Sequence, residues 1–220
     1  MLVSAAIAPS FCGSDRPSVL ARVRHAGVDV TVWRREIAPR LAAELAKWTH
    51  EADVEPFDEV VPAKAPPIER AVAVLPDAVR DAVAFDASML LAYFDAIVPA
   101  RVVRLFLGVV REDQCRKFHV DAVALRMVTT YVGPGTEWLD EADVDRAALA
   151  RRIRSPAAAN AEIVRRPDGV RRARPGDVLM LKGSRDATAA GRGAVHRSPP
   201  IEHRGERRFV LIATAGGPES

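Results

Sequence analysis

The sequence predicts an α+β chain in which a helical first half packs against a sandwich or jelly roll built by the second half. Three observations carry this prediction. Apolar residues recur at helical spacing as far as Ile97 and at alternate positions from Arg101 onward. Turn residues then divide the second half into many short segments. Length and composition fit one globular unit: 220 residues, 49% hydrophobic and 28% charged, supply a core, and a net charge of +3 is too small for a disordered chain.

The elements follow in order. Residues 28–33 alternate like a short strand, and 37–51 have helical spacing, with Leu41, Leu45 and Trp48 on one face. Residues 53–67 are rich in acids and prolines and read as a loop. Residues 77–97 read as one or two helices, opened by Pro76, lined by Val79, Val83, Leu90, Leu91 and Phe94, and stopped by Pro99. Residues 101–111 form a strand, and 114–131 are strand-like with a bend near 122–124. Gly133-Pro134-Gly135 marks a turn. Residues 141–154 have helical composition and read as an insertion between strands. Residues 161–166 and 170–174 flank Pro167-Asp168-Gly169, read as a hairpin turn with glycine at a positive φ. Residues 177–181, 193–196 and 207–214 complete the strands, with a loop of small and polar residues at 184–193. Residues 1–100 are thus expected to form a mainly helical layer, and 101–220 the jelly-roll core, in one structural unit.

Composition excludes several classes. Lysine occurs only at Lys47, Lys64, Lys117 and Lys182, so arginine carries almost all the basic charge; with abundant alanine this reads as coding bias of a GC-rich bacterium. The basic residues alternate with acids and form no stripe, so nucleic acid is not an expected partner. Cys12 and Cys115 form no CxxC pair and no disulfide framework. The mildly apolar segment 1–11 has no basic leader, and the longest apolar run, 87–100, is broken by Asp95. The expectation is a reduced, cytoplasmic protein without a membrane segment. Nothing in the sequence sets its oligomeric state or its substrate. Residues 183–193 have no Gly-Lys-Ser/Thr ending, and no Gly-x-Ser-x-Gly string occurs.

The most informative string is His119-Val120-Asp121, followed 77 positions after its histidine by His196. On a strand, residues i and i+2 face the same side, so His119 and Asp121 would point into one interior. Two imidazoles and a carboxylate occupy one face of an octahedral metal and leave positions open, the arrangement of non-haem Fe(II) oxygenases. A lone His-x-Asp arises easily by chance; its setting gives it weight. The alternative is a strand histidine with a solvated tip and an unrelated loop histidine.

The wider setting carries a resemblance. Phe118-His119-Val120-Asp121, with Arg126-Met127-Val128-Thr129-Thr130-Tyr131, resembles the metal-binding strands of 2-oxoglutarate/Fe(II)-dependent oxygenases. Arg174-Pro175-Gly176-Asp177-Val178-Leu179-Met180 is similar to the segment preceding their distal histidine, and Ala194-Val195-His196-Arg197-Ser198-Pro199 to the distal strand. Gly205-Glu206-Arg207-Arg208-Phe209 is similar to the start of the final strand. The match runs over about residues 101–215, in order. The whole chain also resembles a bacterial family of unknown function, through Lys-Phe-His-Val-Asp, Gly-Pro-Gly-Thr-Glu-Trp and Val-His-Arg-Ser-Pro-Pro. The resemblance implies a double-stranded β-helix (cupin-like) with Fe(II) held by His119, Asp121 and His196, zinc being the other candidate ion. It also implies 2-oxoglutarate as co-substrate, held by a basic residue shortly after the distal histidine. Arg207 and Arg208 both qualify, and alternation cannot choose, because Arg208 shares a face with Val210 and Ile212 and Arg207 with Phe209 and Leu211. Arg208 is preferred because it adjoins the apolar run. The loop before this strand is longer than the family's usual one, which makes the co-substrate reading weaker than the metal reading. Thr129 and Tyr131 are candidate hydrogen-bond donors to the co-substrate. The alternative function is a non-enzymatic metal-binding cupin-like protein in zinc homeostasis, a link implied by the second family.

Other residues have plainer readings. Cys115, four positions before His119, could join a zinc site if the segment were a regular strand, but a buried structural cysteine is the commoner outcome. Glu137-Trp138 reads either as a lid over the barrel mouth or as an aromatic closing its end. Arg126 is either an anion clamp or a surface residue. His203 reads as a surface histidine, and His25 and His50 have no ligand partners nearby.

Overall fold

A computed structural model describes residues 10–98, 100–153 and 155–216. Most of the apolar segment 1–11, the expected helix stop at Pro99, and Arg154 at the end of the expected helical insertion lie outside the described residues. In chain order the elements are β1 (Phe11–Ser14), β2 (Val30–Trp33), α1 (Pro39–Glu51), β3 (Phe57–Pro62), α2 (Ile68–Ala71), α3 (Asp77–Ile97), β4 (Val102–Val110), β5 (Leu125–Val132), β6 (Glu137–Trp138), α4 (Arg146–Leu149), α5 (Pro156–Ile163), β7 (Arg171–Arg172), β8 (Val178–Lys182), β9 (His196–Arg197) and β10 (Arg208–Ala215).

Two sheets face each other. The larger has seven strands in the order β1-β2-β8-β5-β10-β4-β3, and the smaller has three in the order β7-β6-β9. All pairs in the large sheet are antiparallel except β1 with β2, which a 3-10 helix over Pro17–Arg24 connects in parallel. Sequence distance is no obstacle: β10 sits between β5 and β4, which places the last described strand inside the sheet, away from both edges.

The outer face of the large sheet is covered by α1 and α3. Helix α3 is continuous over 21 residues and buries Val79, Val83, Leu90, Leu91 and Phe94 against Leu105, Leu107, Met127 and Leu211. Burial of each such side chain stabilises the fold by roughly 1.5–3 kcal/mol before the entropy cost of ordering. Between the two sheets lies a second apolar layer of Val32, Val128, Trp138, Leu179 and Leu181. A third layer, including Phe118, Leu139, Ala159, Ile163 and Val195, packs α4 and α5 behind the small sheet.

The structure departs from the sequence reading in identifiable places. The stretch 53–67 is not all loop. It contains β3, which tolerates Pro62 because it is the edge of the sheet and whose acids Asp58 and Glu59 pair with Arg104 and Arg70. Strand β1 is not distinguishable by alternation over its four residues. Residues 161–166 are not a strand. Ser155 caps α5 by accepting from the Ala158 N–H, Pro156 occupies its first turn, and the alanines that follow favour helix. Pro167–Gly169 is accordingly a 3-10 turn, not a hairpin. Gly169 does not adopt a positive φ; its requirement is space, since a Cβ there would stand 2.4 Å from Cγ of Asp143. The described residues 141–153 hold a 3-10 turn, a β-bridge from Val144 to Val164 and the four-residue α4, with no long helix. Regular strand begins at Leu125, so 114–124 is irregular apart from one β-bridge, His119 with His196. No helix among the described residues is long and apolar enough to cross a membrane.

Candidate metal centre

The bridge between His119 and His196 builds the site. Each donates its backbone N–H to the other's carbonyl at 3.0 Å, so the two imidazoles project from directly opposed residues, with ring centroids 4.7 Å apart. The local geometry around the bridge is fixed from several sides. Asn160 on α5 accepts from the Phe118 N–H at 2.8 Å and donates to the Arg116 carbonyl at 2.9 Å. The Asp121 carbonyl accepts from Ser184 N at 2.9 Å. Asp121 carries its carboxylate to both histidines: Oδ1 lies 3.4 Å from His119 Nε2, and Oδ2 lies 3.2 Å from His196 Nε2. Donor atoms of the three residues all lie within 4.8 Å of one another, and no other such group of His, Cys, Asp or Glu occurs among the described residues.

The donor set fits a divalent ion. His119 Nδ1 lies 2.9 Å from the Lys117 carbonyl and His196 Nδ1 lies 3.0 Å from the Ala194 carbonyl. A carbonyl only accepts, so each Nδ1 carries the proton and each Nε2 faces Asp121. Asp121 Oδ2 also has Arg126 Nη1 at 2.8 Å. Proximity and bonding differ here: neither the guanidinium nor His196 meets Oδ2 in hydrogen-bond geometry, and this buried oxygen has no hydrogen bond. This buried carboxylate oxygen is in ion-pair contact with Arg126 but accepts no hydrogen bond, so it keeps a lone pair that a metal ion would take.

Without a metal the group is strongly polarised. Burial opposes the charge of His119, but hydrogen bonds to Asp121, Cys115 and the Lys117 carbonyl outweigh it, and its pKa is pushed up to about 10. Burial likewise opposes the Asp121 charge, yet the two imidazoles and Arg126 hold its carboxyl well below the usual carboxylate range. A metal would replace a proton on His119.

The site opens into a cavity lined by Arg126, Val128, Thr136, Arg208, Val210 and Ile212, among others. Arg208 is 3% exposed. Its Nη2 donates to Thr130 Oγ1 at 3.2 Å, its Nε has no acceptor, and no carboxylate contacts it among the described residues. Burial lowers its pKa to about 10, and Glu137 pulls the other way only at a distance. It is a buried cation that no carboxylate contacts among the described residues.

Three candidate co-substrate residues are not brought to the cavity. Arg207 turns the other way and donates to the Thr49 and Ala52 carbonyls, at 3.4 and 2.9 Å, at the C-terminal end of α1. Tyr131 points to the helical side of the sheet, donates to Asp86 on α3 at 2.8 Å and packs on Phe209. Thr129 pairs across the sheet with Leu211, on the same helical side, and its hydroxyl is buried without a partner. The register gives the reason. Thr130 pairs with Val210, which shares the face of Arg208, so the Thr130 hydroxyl meets the Arg208 guanidinium and its neighbours cannot. Sequence reasoning missed Thr130 because it had no register.

The remaining candidates also find their places. Cys115 is exposed in an irregular segment at positive φ, not buried on a strand; it lines the cavity, and its hydrogen bond to His119 lowers its thiol pKa against the effect of burial. Glu137 and Trp138 form no lid. Trp138 is buried between the sheets, and Glu137 is buried between Arg172 and Arg197 of the neighbouring strands. His203 is exposed in a 3-10 turn.

Fold and site together define a double-stranded β-helix whose mouth holds a two-histidine, one-carboxylate group, the class to which 2-oxoglutarate/Fe(II)-dependent oxygenases belong. The chain belongs to the family described as a protein of unknown function (DUF1826), which matches residues 14–213. Similar solved structures include a dioxygenase for auxin oxidation from rice, 17% identical with a TM-score of 0.50, covering 94% of this chain and 81% of that one. The dioxygenase for auxin oxidation 1 from Arabidopsis thaliana, solved with 2-oxoglutarate, is 12% identical with a TM-score of 0.49, covering 94% and 92% of the two chains. A prolyl-4-hydroxylase from Pseudomonas putida is 12% identical with a TM-score of 0.43, covering 91% and 93%. At such identities the rice structure supports the fold and nothing finer. No curated protein matches the chain.

Proposed function

We propose that this chain is an Fe(II)/2-oxoglutarate-dependent oxygenase of the hydroxylase type. One observation carries the reading: a carboxylate-free buried arginine, Arg208, lines the same cavity as a His/Asp/His group suited to a divalent ion. His119, Asp121 and His196 would hold the metal. When bound, the metal supplies O₂ activation, with one oxygen atom entering the substrate C–H bond and the other the succinate formed as 2-oxoglutarate loses CO₂. The chain's own residues bind and orient. Arg208 offers a planar fork to the far carboxylate of 2-oxoglutarate, and the Thr130 hydroxyl steadies that guanidinium. Val128, Val210 and Ile212 supply an apolar wall that keeps water from the reacting end.

The test is turnover of the co-substrate. Fe(II)-loaded protein incubated with 2-oxoglutarate and O₂ is expected to release succinate slowly without any added substrate. His196→Ala is expected to abolish this release, and Arg208→Gln to raise the KM for 2-oxoglutarate. If Fe(II) binds at the triad and yet 2-oxoglutarate neither binds nor turns over, the oxygenase reading fails and a metal-binding role remains.

A further inference from the structure

A second cationic pocket lies at the open edge of the sandwich. It is built where β1 and β2 of the large sheet approach β7 of the small one, and Arg34, Arg171, Arg172 and Arg174 line it with Phe11 and Trp138. All four arginines are exposed. Among the described residues, two carboxylates contact them. Arg172 shares buried Glu137 with Arg197, and Arg174 has Asp177 at 3.5 Å. Arg34 and Arg171 have no ion-pair partner among the described residues, so at least two positive charges are uncompensated.

Both guanidiniums lie beside strand β1. Phe11 and Gly13 are two apart on the strand and share a face. Arg171 lies over the Phe11 ring, 4.1 Å from its centroid. Arg34 lies beside Gly13, its Nε and Nη2 each 3.5 Å from where a Cβ would stand. Trp138 adds a further donor: it is 5% exposed, and its indole N–H has no acceptor. That makes an unpartnered buried donor in the wall of a pocket with excess positive charge.

We propose that this pocket binds a phosphate-bearing anion. A phosphate monoester carries about −1.5 to −2 at pH 7, which matches the uncompensated charge better than a single carboxylate does. Guanidinium forks suit its oxygens. The site is separate from the metal centre but connected to it. Arg171, Trp138 and His196 form one row across the small sheet, on its inner face, so the pocket backbone stands two strand spacings, about 10 Å, from the metal-binding strand with Trp138 as the partition. Arg208, the anion clamp of the proposed chemistry, lies in the other cavity.

Inorganic phosphate is the probe, titrated into the full chain by calorimetry at constant ionic strength set with sodium chloride. Saturable binding is expected. Arg34→Gln and Arg171→Gln are each expected to weaken it about tenfold, since a hydrogen bond to a charged group is worth about 1.5–3 kcal/mol. Both side chains are exposed, so the melting temperature should barely move and a folding defect is separable. Arg208→Gln is expected to leave this binding intact. The proposal is overturned if phosphate does not saturate, or if Arg208→Gln abolishes binding while the Arg34 and Arg171 variants keep it. It is also overturned if a single-stranded oligonucleotide binds over a hundredfold more tightly than phosphate with steep salt dependence, which would make the patch a nucleic-acid contact.

Discussion

Replacing Arg208 by methionine should make the protein more stable and unable to hold its co-substrate. Arg208 is 3% exposed, and its pKa falls from 12.5 to about 10 because burial disfavours its charge. That depression corresponds to a cost of about 3 kcal/mol to the folded state wherever the side chain is charged in both states. Methionine fills a similar volume without the charge. It forfeits the hydrogen bond to Thr130, worth about 1 kcal/mol. The net expectation for Arg208→Met is a gain of about 2 kcal/mol, and in a chain of 220 residues that raises the melting temperature by roughly 4–8 °C. Affinity for 2-oxoglutarate, measured by calorimetry on the Mn(II)-loaded protein, should fall at least about a hundredfold, because a buried charge-assisted pair is lost. Calorimetry and thermal melts on the same samples decide the matter. A variant that melts lower would mean that the arginine supports the fold and is not an uncompensated charge kept for a ligand. Unchanged 2-oxoglutarate affinity would remove the clamp.

Three further outcomes are expected. Because the folded pKa of His119, about 10, lies above its ordinary 6.5, the metal-free protein holds the full stabilisation of this group below about pH 6.5 and loses it as pH rises toward 10; melting temperatures in EDTA should fall across that window, whereas His119→Gln should flatten the slope. Apparent metal affinity should rise across the same window, by up to about tenfold per pH unit for the one proton displaced, and pH-independent affinity would show that His119 is not a ligand. Arg207→Gln and Tyr131→Phe should each cost about 1 kcal/mol, by freeing the end of α1 or the bond to Asp86, with metal and 2-oxoglutarate affinities unchanged by calorimetry.

Legibility in the sequence followed the range over which each signal acts. Long amphipathic segments such as α1 and α3 announced themselves, because periodicity over 13 and 21 residues is hard to mimic. Edge strands β1 and β3, of four and six residues, fell below that resolution. The end of α5, residues 161–163, reads as strand by alternation although Ser155-Pro156 and the alanines after it are a helix start in plain sight. At the site, the two-residue spacing of His119 and Asp121 pointed to a shared interior, and the structure brings their side chains together with that of His196. Which hydroxyl stands beside Arg208 depended on the pairing of β5 with β10, and a one-residue change of register exchanges the faces. Asn160, which braces Phe118 beside the triad from α5, is a long-range partner that no local pattern marks, whereas Arg126, five positions from Asp121, reads from the sequence as an anion clamp or a surface residue and stands against the carboxylate of Asp121.

The most direct measurement is an anaerobic titration of the full chain with Fe(II) and 2-oxoglutarate, followed by visible absorption. A weak charge-transfer band that requires both components, and that is lost in His119→Ala, His196→Ala and Arg208→Gln, is the predicted result. No band with either order of addition, together with tight zinc binding at His119, Asp121 and His196, would contradict the oxygenase reading.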